Sequence, residues 1–141
     1  MKARNPIQQL LKAYYNLLNG SIIYDGSAIT VGTKIPRGQS NYIYLYASSV
    51  SNMSTGDGVI YNITITMQIV SLQEVNEGDE TIINSLLDQV LSFVEDPDSI
   101  LMDDFKCLMN RVESMEPLDS DDEANFIVGK KLNILNFIEQ N

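Results

Sequence analysis

The chain has no histidine, no tryptophan and a single cysteine, Cys107, in 141 residues. Without histidine, no side chain has an ordinary pKa near neutrality, so Ser–His–Asp and Cys–His catalysis are excluded. Only carboxylate, lysine or tyrosine chemistry remains open to an enzyme. One cysteine rules out an internal disulfide framework and, with no histidine beside it, the common zinc sites. No run approaches the ~18 apolar residues of a membrane span. The opening MKARNPIQQLLKAYYNLL is interrupted by Arg4, Asn5, Gln8, Gln9 and Lys12, so it does not read as a secretory signal. Gly56-Asp57-Gly58 is too short for a dinucleotide fingerprint and lacks the Lys-Ser/Thr of a phosphate loop. The expectation is a protein with no catalytic residue, cofactor, metal or membrane partner.

Apolar types make up 44% and charged types 20%, ordinary proportions for one globular domain over residues 1–141 with a real core. Charge is placed unevenly. Residues 1–58 hold five basic and two acidic side chains, net +3, whereas residues 59–141 hold four basic and 17 acidic, net −13. A pI near 4.2 argues against wrapping nucleic acid, which needs a surplus of Lys and Arg. The asymmetry fits acidic loops and solvated helix faces; the sharper reading is that a positive edge of one copy meets a negative edge of the next.

The first element reads as a helix, with Asn5 as cap, Pro6 at its first position and Gly20 as the left-handed residue past its end. Ile7, Leu10, Leu11, Tyr14 and Leu18 form its buried stripe, widened by Tyr15 and Leu17. Ser21 to Tyr24 and Ser27 to Val31 flank Asp25-Gly26 as a hairpin. Gly32 to Ser40 reads as a loop. Tyr42 to Ser48 alternates, with Tyr42, Tyr44 and Tyr46 on one face and Ile43, Leu45 and Ala47 on the other. Ser48 to Gly58 is small and polar, an exposed loop. Beyond it a long strand turns Val59, Tyr61, Ile63, Ile65, Met67 and Ile69 to a core and Asn62, Thr64, Thr66 and Gln68 away.

Glu74 to Gly78 reads as a second loop and Asp79 as the cap of a second helix. Ile82, Ile83, Leu86, Leu87, Val90, Leu91 and Val94 form its stripe, and Asp96-Pro97 stops it. FKCLMNRVESM, residues 105–115, matches neither the helical nor the strand period. Asp119 to Glu123 reads as a turn, and Lys131 to Ile138 as a last strand.

The acidic runs invite a metal. Counted from Asp119, a calcium loop needs Gly at its sixth position and Glu at its twelfth; these are Ala124 and Lys130. The cluster Glu95, Asp96, Asp98, Asp103 and Asp104 reads as solvated charge. Carboxylate glycoside chemistry would need an aromatic-lined sugar cleft, and tryptophan is absent. Cys107, in an apolar stretch, reads as a buried inert thiol.

The order of elements, with KIPRGQSNYIYLY before the flexible loop and GVIYNITITMQIVS before the helix DETIINSLLDQVLSFV, resembles the tail-terminator and tail-completion family of tailed bacteriophages, which includes head–tail joining proteins of the neck. The likeness covers most of residues 5–94. It implies an α+β fold, a mainly antiparallel sheet with two amphipathic helices packed on one face. It also implies a structural virion protein at the head–tail junction, assembled in the host cytoplasm. Such a subunit forms a homo-oligomeric ring, a hexamer or dodecamer. It joins neck, portal-side or tail proteins and lets DNA pass through its channel without specific binding. The contact residues expected on that reading are Lys34, Arg37, Asn52, Met53, Asp57, Asn62, Thr64, Thr66 and Gln68. The rival from another class is a small intracellular α+β adaptor or ligand-binding domain, with Tyr42, Tyr44 and Tyr46 lining a pocket.

Overall fold

A computed structural model describes residues 3–54, 56–74, 80–118, 120–121 and 125–141. The fold is α+β: two helices packed on one face of a mainly antiparallel sheet. Helix α1 spans Ile7–Leu18. The Asn5 side chain accepts a 2.9 Å hydrogen bond from the Ile7 N–H, but the helix starts one residue later than expected, with Pro6 itself in the cap position. Gly20 has φ +80°, the left-handed exit that favours glycine.

Asp25 and Gly26, both at positive φ, turn β1 (Ile23–Tyr24) into β2 (Ser27–Ala28). The strand read from Ser27 to Val31 divides at Ile29, whose side chain enters the core. Its second half, β3 (Thr30–Gly32), leaves the hairpin and joins the large sheet parallel to β4 (Asn41–Asn52).

The large sheet has the order β3–β4–β5–β8–β6, with β5 at Ile60–Glu74, β6 at Phe105–Pro117 and β8 at Asn125–Gln140. A two-residue strand, β7 (Ser120–Asp121), pairs with the start of β8. The four long strands alternate in direction, so every long pairing is antiparallel. Ile63, Ile65, Met67 and Ile69 on β5 are fully buried, as the alternation requires. They meet Leu10, Tyr14 and Leu18 of α1 and Ile83, Leu86 and Val90 of α2 (Thr81–Leu91) in one core. Each such side chain contributes about 1.5–3 kcal/mol on burial.

Helix α2 ends at Leu91, five residues before Asp96-Pro97. The Ser92 hydroxyl donates to the Gln89 carbonyl at 2.6 Å and closes the last turn, while Pro97 opens a short 3-10 turn, Pro97–Ser99. Val94 is still buried beyond the helix end. The expected cap Asp79 lies outside the described residues, as do Asp119, Asp122 and Glu123 of the expected acidic turn. Strand β4 continues through Ser48 to Asn52, so the loop expected from Ser48 shrinks to the tip after Asn52. A bulge between Ala47 and Ser49 lets the chain leave its alternation without leaving the sheet.

Candidate assembly surfaces

The helices cover one face of the sheet. On the opposite face the register brings together Tyr42, Tyr44 and Tyr46 of β4; Asn62, Thr64, Thr66 and Gln68 of β5; Asn133, Leu135 and Phe137 of β8; and Met109, Arg111 and Ser114 of β6. The described stretches 41–52 and 60–72 contain no Asp, Glu, Lys or Arg. Beside these stretches the face carries Arg111 on β6 and Lys131 on β8.

A polar rung crosses all four long strands. The Thr66 hydroxyl lies 2.8 Å from both Ser48 Oγ and Asn133 Oδ1, and Asn133 Nδ2 donates to Ser114 Oγ at 2.9 Å. Ser48 and Ser114 each sit beside a bulge, one on β4 and one on β6. One strand away, Tyr44 and Tyr46 lie 5.2 Å apart between ring centroids, tilted by 34°. Gln68 Nε2 donates to the Tyr46 hydroxyl at 3.4 Å. Burial pushes the Tyr42 phenol above its ordinary pKa.

The expected contact residues fall into three places. Lys34 and Arg37 are exposed on the connection between β3 and β4. Asn52, Met53 and Asp57 form the opposite end, at the β4–β5 tip. There the Asn52 side chain accepts the Ser54 N–H at 2.8 Å, and the Met53 N–H donates to the Ile60 carbonyl. Gly32 pairs with Tyr44, so roughly 25 Å of strand at ~3.3 Å per residue separates the two groups. Asn62, Thr64 and Gln68 are half-buried on the open face between them. Thr66 is completely buried, its hydroxyl consumed by the rung, and offers no surface to a partner.

The two outer edges of the sheet have no strong signal in the sequence. Among the described residues β6 pairs only with β8, so its other side carries no strand, although the 3-10 turn Pro97–Ser99 packs near it. β3 covers β4 only opposite Tyr42 to Tyr44, which among the described residues leaves the outer side of β4 from Leu45 to Asn52 without a strand. Exposed apolar side chains mark both edges: Val50 and Met53 at one, Leu108 and Met115 at the other. On β6 one edge group is occupied, the Val112 N–H donating to Glu95 Oε1 at 2.8 Å.

No group of three or more His, Cys, Asp or Glu side chains is placed to hold a metal among the described residues. Burial pushes the Cys107 thiol up to about 11. An open groove of about 600 Å3 runs between α1 and the end of β3, lined by Ile7, Leu11, Lys12, Tyr15, Gly32 and Thr33. Tyr42, Tyr44 and Tyr46 face away from it. No helix of the described residues is long and apolar enough to cross a membrane.

No protein-family model matches the chain, and no curated protein matches it. Among solved structures, the fold is shared with a chain described as the virion of a native gene transfer agent particle. The match covers 94% of this chain and 90% of the other, with a TM-score of 0.64 and 12% sequence identity. At that identity the likeness is one of fold.

Proposed function

We propose that the protein is a non-enzymatic structural subunit of a phage-like particle, a ring-forming component of the head–tail junction. The observation that carries this reading is the fold shared over nearly the whole chain with a component of a gene transfer agent virion. Fold alone does not determine function, so a second, independent property of the chain matters. Here it is the pair of uncovered sheet edges on opposite sides of one domain, a layout suited to repeated association.

On this reading the subunit assembles with other particle proteins. The β4–β5 tip, with Asn52, Met53 and Asp57, projects from one end of the sheet as a docking element for tail or neck. Lys34 and Arg37 mark a basic flank for a neighbouring copy. Turned towards a channel, the open face would present Asn62, Thr64 and Gln68 along its centre, with Arg111 of β6 and Lys131 of β8 beside them. The adaptor alternative needs the tyrosines to line a pocket; Tyr42 is instead buried, and Tyr44 and Tyr46 pack on each other.

Native mass spectrometry across a concentration series, followed by negative-stain imaging, tests the proposal. Closed rings of six or twelve copies are expected. A strict monomer that also fails to join tail or neck components would overturn it.

A further inference from the structure

The geometry points to the way one copy meets the next: the uncovered outer side of β4 in one subunit lies antiparallel against the outer side of β6 in its neighbour, head to tail, in a continuous belt. The inference rests on the ring reading above and specifies the contact.

Strand direction comes first. β4, β5, β8 and β6 alternate, so β4 and β6 run in opposite directions. A neighbour placed beside β6 in the same orientation therefore presents its β4 antiparallel to it, and the alternation continues from copy to copy. A sheet with an odd number of long strands would meet its neighbour parallel.

Register comes second. Read across the sheet, Leu45 lies level with Met67, Leu132 and Met115, and Asn52 with Tyr61, Ile138 and Cys107. The stretch of β4 that β3 leaves uncovered is thus level with residues 107–115 of β6. β3 itself fills the remaining level: Gly32 stands beside Tyr44, which is level with Gln68, Lys131 and Glu116, where β6 ends at Pro117. A neighbour related by rotation about an axis along the strands finds open strand opposite open strand.

Charge decides between head-to-tail and two-fold pairing. Residues 30–52, which make the β3–β4 edge, hold Lys34 and Arg37 and no acid, net +2. Residues 95–118, which make the β6 edge and its approach, hold seven acidic and two basic side chains, net −5. Pairing β6 with β6 across a two-fold axis sets like charge against like, whereas pairing β6 with β4 sets opposite charges together. Head-to-tail contacts are heterologous and close into rings where the rotation permits. Gly32, two residues before Lys34, is level with Glu116. The bulges of β6 and the Glu95 clasp on Val112 fit an edge guarded against indiscriminate pairing, with no strand paired on either side of the clasp among the described residues.

Cysteine pairs test the contact on the full-length protein. Ser49 and Arg111 share a level and the open face, as do Ser51 and Met109. The double variants Ser49→Cys/Arg111→Cys and Ser51→Cys/Met109→Cys, oxidised under ring-forming conditions, should give a ladder of disulfide-linked species on a non-reducing gel. Each single variant should give none. In parallel, Glu113→Lys/Glu116→Lys should lower the ring fraction at least tenfold, and adding Lys34→Glu/Arg37→Glu should restore it. Rings that form normally while neither cysteine pair gives a ladder would overturn edge pairing and leave the ring reading standing. A wild-type chain that stays monomeric at every concentration would remove both.

Discussion

The Tyr14 hydroxyl donates a 2.6 Å hydrogen bond to Asn136 Oδ1 at the centre of the core, 122 residues away in sequence. Both residues are fully buried. Asn136 Nδ2 in turn donates to the carbonyls of Ile63 and Ile134, and Asn110 Nδ2 reaches the Tyr14 hydroxyl at 3.3 Å. One polar node therefore ties α1 to β5, β8 and β6. Hydrophobic contact would let the helix slide along the sheet; this node gives it a single register.

Tyr14→Phe removes the donor and leaves Asn136 Oδ1 buried without it. The expected cost is about 1–3 kcal/mol, the desolvation penalty of an unsatisfied buried group. Urea unfolding followed by circular dichroism should show a lower midpoint with an unchanged slope. An unchanged midpoint would mean that the node is not holding the helix.

The same burial makes stability depend on alkaline pH. Burial pushes the Tyr14 phenol above its ordinary value and the Cys107 thiol up to about 11. Both groups are neutral in the fold and ionise first in the unfolded chain. Their contribution is complete below the unfolded pKa values, near 9.0 for Cys107 and 10.0 for Tyr14, and is lost as pH rises through the folded ones. Unfolding midpoints should stay flat from pH 7 to about 8.5 and fall above it. In Cys107→Ala the decline should begin about one pH unit later, because only the phenol remains.

Strand β6 shows where sequence reading stops and why. The positions it turns to the helix-covered side are Phe105, Cys107, Asn110, Val112 and the exposed Met115, because one bulge falls after Cys107 and another after Val112. Each bulge adds a residue, so the spacing runs two, three, two, three and matches neither a strand nor a helix. Strand β5 has no break opposite β8, and its face was legible from Val59 to Ile69. The Asp25-Gly26 turn was legible for a local reason, since its backbone conformation depends on those two residues alone. The placement of β1 was not. The Gln89 side chain donates to the Ile23 carbonyl and accepts its N–H, an interaction between residues 66 positions apart that no local pattern encodes. For the candidate surface, the residue types of the open face were readable but Thr66's burial was not, because it depends on Asn133 and Ser48 arriving beside it.

Gly129 marks a close approach that its neighbours in sequence do not announce. A Cβ there would lie 2.6 Å from the Ile69 carbonyl oxygen and 3.3 Å from that of Leu118. The Leu118 N–H donates to the Gly129 carbonyl, so the chain leaving β6 is held tightly against this point. Gly129→Ala should destabilise the fold by about 1–3 kcal/mol, the usual cost of overpacking, and lower the melting temperature. An unaltered melting curve would show that the backbone at Gly129 yields without cost.

The β4–β5 tip should separate joining from folding. Ser51 and Asn52 pair with Asn62 and Tyr61, so a deletion that includes them removes sheet as well as loop. Replacing Met53 and Asp57 together by Ser keeps both strands and their register, Asn52 opposite Tyr61. Such a variant should lose little stability, because Met53 and Asp57 are exposed. If the tip is the docking element, the variant should still form rings by native mass spectrometry yet fail to join tails or necks in a particle-assembly assay. Particles that assemble at the wild-type level would move docking off the tip and onto the other end of the sheet, where Lys34 and Arg37 lie.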